Sequence, residues 1–124
     1  MVRPTVLVAE PEPTEGVSAR KLVLETAKFN VITAHSGTET NELFDRFPSV
    51  DAVVLHTSLR GLNCVEATAR IKAKKSAVQV IVISPSHGDG CKGADHHLDS
   101  HEPHQLLDRL RSLFGDPRKI DGQN

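Results

Sequence analysis

His56 closes the apolar run Asp51-Ala52-Val53-Val54-Leu55, and a titratable ring at the end of such a run invites a chemical reading. It would be a proton switch or a phosphoryl acceptor, because imidazole changes charge near neutral pH. The plainer reading is a neutral imidazole bonded to Ser84 or Glu10, without catalytic work. A second group is the histidine-rich segment His87, Cys91, His96, His97, His101 and His104, six potential ligands within eighteen residues. Zinc sites favour Cys and His at short spacing, such as the i, i+4 pair His87 and Cys91. Neither CxxC nor HExxH occurs, and His96 and His97 would face opposite ways on a strand, so no metal site is expected. The third group is the acidic, proline-rich Glu10-Pro11-Glu12-Pro13, which would repel a phosphate rather than cradle it. Cys64 sits just inside a helix start, where a thiolate is stabilised, although a small packing residue is the simpler role. Cys91, in a glycine-containing loop, is the more exposed sulfur and the one open to accidental oxidation.

The elements that must position these residues follow from pattern. Thr5-Val6-Leu7-Val8-Ala9 is short, apolar and β-branched, as a strand buried on both faces would be. Residues 14 to 28 carry helical spacing, with Val17, Leu24 and Ala27 on one face and Pro13 at or before the first turn. Residues 30 to 34 read as a second strand. Ser36 and Glu39 have capping-box spacing, so a helix runs to about Phe47 and stops at Pro48. Residues 51 to 56 form a third strand. Asn63 and Glu66 open a helix to about Lys74, whose Lys72, Lys74 and Lys75 suit a solvated helix end. Val78 to Ile83 is a fourth strand and His96 to Leu98 a weak fifth. Pro103 begins a last helix carrying Leu106, Leu107, Leu110 and Leu113, with Gly115 as its stop. The alternation predicts a parallel sheet with helices on both faces, joined by right-handed crossovers. Chemistry then gathers beyond the strand ends, at Glu10, His56, Ser84 and Ser100.

The totals bound the function. At 124 residues the chain is one domain, read as 1–115 followed by a polar tail, 116–124. Fifteen basic against sixteen acidic side chains leave a net charge of −1, so nothing draws the chain to nucleic acid. No apolar stretch approaches the roughly 20 residues that span a bilayer, and Met1-Val2-Arg3-Pro4 lacks a signal pattern. Two cysteines make no framework, and a reduced cytoplasmic setting is expected.

Several pieces, in order, resemble a response-regulator receiver domain. They are Val6-Leu7-Val8-Ala9-Glu10, Phe29-Asn30-Val31 with Ala34 and Gly37, Asp51 to Leu55 with Gly61, Val80 to Ser84, Gly93-Ala94-Asp95 and the Leu-rich last helix. The resemblance covers about Thr5 to Gly115. It implies a flavodoxin-like, doubly wound α/β fold with five parallel strands in the order 2-1-3-4-5. It also implies a role in two-component phosphorelay signalling, with a histidine kinase or an output protein as partner and a homodimer left open.

The chain departs from that family where its chemistry lies. The family's two Mg²⁺-binding acids fall at Glu10 and Pro11, and Pro11 offers no ligand. Its phospho-accepting aspartate falls at His56, its hydroxyl at Ser84, its lysine at Ser100, and its switch aromatic at His97. Phosphoryl transfer is mostly positioning and charge neutralisation, and Mg²⁺ wants hard oxygen ligands. The expectation is a degenerate receiver that acts by protein–protein contact, without aspartyl phosphorylation, enzymatic activity or cofactor. Between Ser84 and Gly93 lie eight residues, including Pro85, Gly88 and Gly90, too few and too poor in helix formers for the family's fourth helix. That helix is expected to be short or absent. With no output domain after Gly115, any effect is expected to pass through a partner. A small-molecule or metal sensor, using the strand-end pocket and the His-rich edge, is the alternative.

Overall fold

Three apolar strands lying side by side set the architecture. The structure is a computed structural model that describes residues 3–13, 16–84, 91–98 and 102–120. Strands β1 (Thr5–Ala9), β2 (Asn30–Ala34), β3 (Ala52–His56), β4 (Gln79–Ile83) and β5 (His96–Leu98) form one sheet in the order β2-β1-β3-β4-β5. Every neighbouring pair is parallel. Helices α1 (Ala19–Thr26), α2 (Gly37–Arg46), α3 (Cys64–Lys74) and α4 (Pro103–Phe114) connect or follow them, and a single turn, α5 (Pro117–Ile120), comes last.

Side-chain alternation along the strands divides the interior into two cores. Leu7, Ala9, Val53, Leu55, Val80 and Val82 pack with Phe44 of α2 and with Ala67 and Ile71 of α3. Val6, Val8, Ala52, Val54, Ile81 and Ile83 face the other way, onto Leu24 and Ala27 and onto Leu106, Leu107 and Leu110 of α4. The central strands are apolar throughout because both of their faces are covered. This is the flavodoxin-like fold expected from the sequence, with the expected strand order.

Helix ends follow their local chemistry. Ser36 Oγ accepts from the Glu39 N–H at 3.0 Å, and the Glu39 carboxylate reaches back to the His35 N–H at 2.6 Å, one residue beyond the usual capping-box partner. Asn63 Oδ1 accepts from the Glu66 N–H and opens α3. Gly115, at φ 82°, ends α4. α1 is shorter than its apolar spacing predicts. Ser18 caps it by accepting from the Lys21 N–H, Gly16 before it has φ 68°, and Val17 and Leu22 stand exposed rather than in the core. At its other end Lys28 adopts φ 74°. The Phe29 N–H donates to the Leu24 carbonyl and the Lys28 N–H to the Glu25 carbonyl. These are the two bonds of a Schellman close, with lysine where glycine is usual.

Two expectations need correction. Cys64 and Cys91, read as free thiols in a reduced chain, are joined by a disulfide, with Cα atoms 5.8 Å apart. Cys91 is buried against the α2–α3 core, not exposed, because the short connection from β4 to β5 lays it directly on α3. Within the segment read as a polar tail, Pro117–Ile120 form the α5 turn, and Pro117 is buried. Among the described residues no helix lies between β4 and β5; residues 85–90, where the family's fourth helix was expected to be short or absent, lie outside them.

The strain at Lys28 gives a clean stability test. Left-handed backbone costs a non-glycine residue roughly 1–2 kcal/mol, whereas glycine adopts it freely. Lys28→Gly is expected to raise the unfolding free energy by about 1 kcal/mol in urea denaturation, against the usual effect of a new glycine.

Candidate functional site

The parallel register carries the polar residues to one edge. Ala9 pairs with Leu55, so the next step of the ladder sets Glu10 beside His56 on adjoining strands. His56 in turn pairs with Ile83, and Ser84 follows. The Glu10 N–H donates to the Ala34 carbonyl and the Ser84 N–H to the Leu98 carbonyl, each at about 3 Å, so the backbone there is as fixed as in the strands. Glu10, His56 and Ser84 are 3%, 5% and 2% exposed.

A carboxylate so deeply buried needs partners, since an unpaired buried charge is very costly. Glu10 finds them on α1. Arg20 Nη1 donates to Oε1 at 2.7 Å and the Ser18 hydroxyl donates to Oε2. Both of its oxygens are therefore engaged by protein groups. On the backbone side, His35 Nδ1 lies 3.1 Å from the Glu10 carbonyl oxygen. At His56 the Ser58 N–H donates to Nδ1 at 3.2 Å, and the Ser58 hydroxyl lies 2.7 Å from the same nitrogen. Nδ1 thus serves as an acceptor, which turns the ring in place over the β3–α3 loop.

Over this edge lies an open cleft of about 500 Å³, bounded by Pro11, Glu12, His35, Ser58 and Arg60. Its walls are held together by backbone. The Gly37 N–H at the start of α2 donates to the Arg60 carbonyl at 2.9 Å, and a Cβ on Gly37 would run into the Gly61 carbonyl. Glycine at this point is a matter of close approach between two segments of the chain.

The sequence-selected positions part company here. Glu10, His56 and Ser84 come together at the edge. Pro11 and Glu12 are exposed at the cleft rim. His97 stands on β5 beside Val82 and faces solvent. Ser100, His87 and His101 lie outside the described residues. Arg20, Ser18 and Ser58 were not foreseen. Nothing in the local sequence marks Arg20 as the partner of a residue ten positions earlier, while Ser58 carries the faint signal of a hydroxyl just past a strand end.

The donor set does not fit the Mg²⁺ ion that the receiver resemblance implies. An octahedral oxygen site needs carboxylates facing outward. Glu10 is turned to a guanidinium and a hydroxyl, Pro11 has no donor, and imidazole at His56 is a poor Mg²⁺ ligand. The His-rich edge also loses a ligand, because Cys91 is bonded to Cys64. Among the described residues no group of three or more His, Cys, Asp or Glu is placed to hold a metal ion. Charge perturbations lie elsewhere, Asp95 among them: burial tends to raise its carboxyl, but the Lys72 ammonium and the Val80 N–H outweigh it and hold the group below its ordinary range.

Solved structures that share this fold with the chain include receiver domains. A response-regulator receiver from Clostridium thermocellum is 23% identical, with a TM-score of 0.76 over 94% of this chain and 98% of its own. A CheY-like receiver from Methanospirillum hungatei is 15% identical, with a TM-score of 0.78 over 96% and 99%. The receiver domain of a Pseudomonas aeruginosa sensor histidine kinase, with magnesium in its active-site cleft, is 20% identical, with a TM-score of 0.74 over 92% and 99%. No protein-family model matches the chain, and no curated protein does. At these identities the likeness is one of fold.

Two stability measurements probe the site. Removing one member of a buried pair strands the other, at a cost of about 3–5 kcal/mol, whereas removing both is far milder. Arg20→Leu is expected to destabilise strongly, and adding Glu10→Gln to recover much of the loss in a denaturation double-mutant cycle. Gly37→Ala is expected to cost about 1–3 kcal/mol by overpacking, read as a lowered melting temperature.

Proposed function

We propose that this chain is a receiver-type signalling domain that has kept the fold and lost the aspartyl switch, and that it acts by binding protein partners. The observation that carries the reading is the state of Glu10. In the place where the family resemblance puts a metal-binding acid, the carboxylate is neutralised by Arg20 and capped by Ser18. Beside it the phospho-accepting position holds His56, whose Nδ1 is committed to Ser58. Phosphoryl transfer onto an aspartate needs the acceptor, a metal and a second cation arranged together. The residues here provide a closed ion pair and an imidazole instead.

On this reading the partner is a histidine kinase or an output protein, and the setting is cytoplasmic. Among the described residues no helix is long and apolar enough to cross a membrane. The domain performs no catalysis of its own. Its signal is the presence and shape of its surface, modulated by whatever alters that surface.

The test is incubation with Mg²⁺ and acetyl phosphate, followed by intact mass. No stoichiometric, hydroxylamine-labile adduct is expected. His56→Asp alone is expected to remain unmodified as well, since Arg20 and Pro11 still deny the metal its ligands. A labile phosphoryl adduct on the unaltered chain would sink the proposal.

A further inference from the structure

The Cys64–Cys91 bond belongs to a row of contacts rather than standing alone. Cys64 is the first residue of α3, and Thr68 and Lys72 follow it at four-residue intervals on the same face. All three meet the turn that leads into β5. Cys64 is bonded to Cys91, the Thr68 hydroxyl lies 3.3 Å from Cys91 Sγ, and Lys72 Nζ pairs with Asp95 at 2.6 Å. Asp95 also accepts from the Val80 N–H at 2.8 Å, which ties the turn to β4. The turn is thus fastened at its first residue by a covalent bond and at its last by charge.

The two sulfurs are unlike. Cys91 is buried. Cys64 is partly exposed and sits in the first turn of an eleven-residue helix, where unpaired N–H groups and the helix dipole stabilise a thiolate. Cys64 is the more exposed of the two residues and the one open to a nucleophile from solvent. The sulfur that would leave, Cys91, already has a hydroxyl beside it: within a disulfide Sγ carries no proton, so Thr68 is the donor. A partly exposed cysteine to attack and a hydroxyl placed to stabilise the leaving sulfur both favour thiol–disulfide exchange.

We propose that Cys64–Cys91 is a reversible redox switch that exchanges with thiols of the glutathione class through Cys64. A thiolate attacks Cys64 Sγ and forms a mixed disulfide. The Cys64–Cys91 bond breaks, and its electron pair stays on Cys91, which takes a proton from solvent. A second thiolate attacks the outer sulfur, releases the two-thiol disulfide and leaves Cys64 as thiolate. Two external thiols are oxidised and one protein disulfide is reduced; a low-molecular-weight disulfide runs the sequence backwards. With the bond open, the turn from Cys91 to Asp95 keeps only its non-covalent ties: Asp95 stays held by Lys72 and Val80, and the Cys91 end is loosened. The proposal is independent of the receiver reading, because it rests on α3 and the turn alone.

Native protein purified without reductant is titrated in glutathione redox buffers at neutral pH, alkylated and weighed intact. Two alkylations are expected to appear together, with faster amide exchange across residues 91–98. In single-cysteine variants, Cys91→Ser should form the glutathione mixed disulfide about tenfold faster than Cys64→Ser does. Opening by thioredoxin but not by glutathione would overturn the assignment to thiols of the glutathione class. Both sulfurs alkylated before any reductant is added, a bond that opens only in denaturant, or equal rates in the two variants would overturn it.

Discussion

The ladder through β1, β3 and β4 is the constraint on which everything else depends. These strands have no solvent-facing side, so their backbone groups can be satisfied only by one another, in register. Buried residues occupy nearly every position of the three strands, leaving polar side chains room only where the strands stop. Parallel pairing makes all of the strands stop on the same edge. Glu10, His56 and Ser84 therefore meet because the sheet is apolar, before any question of what they do.

That edge imposes a second cost. A carboxylate carried to the end of a buried strand cannot stay uncompensated, and the compensation decides its chemistry. Where acids gather around an open cleft, a metal ion can neutralise them. Here α1 delivers a guanidinium and a hydroxyl, and the charge is settled within the protein. The same logic holds in milder form at His56, where the loop's own Ser58 meets the ring nitrogen. The site's polar groups are thus satisfied by one another.

The opposite side of the sheet handles a different problem. β5 has three residues and stands at an edge, so ladder bonds alone hold it weakly. The row Cys64, Thr68 and Lys72 on α3 supplies the missing attachment through the turn before it. The short β4–β5 connection is what brings Cys91 onto that row. The Cys64–Cys91 bond adds a covalent tie to that edge.

Much of this was legible from residue types in order. Two-faced burial announces itself as an unbroken apolar run, and caps such as Ser36 and Asn63 act within three residues, so strands and helix starts lie on the surface of the sequence. Fold and strand order followed, as did the location of Glu10, His56 and Ser84 at one edge. Lys28 was missed because its left-handed backbone is imposed by the α1–β2 turn, not by its own preference. Arg20 and Ser58 were missed because no period relates them to their partners. The disulfide was misread for the same reason: sequence separation says nothing of distance, and two cysteines 27 positions apart become neighbours only when β4 carries the chain back along α3. What the sequence by itself determined was which residues must be buried and where the chain must turn, because those are local and periodic. Which buried charge is neutralised, and which sulfurs bond, only the tertiary structure decided, because each depends on two segments meeting across the sheet's faces.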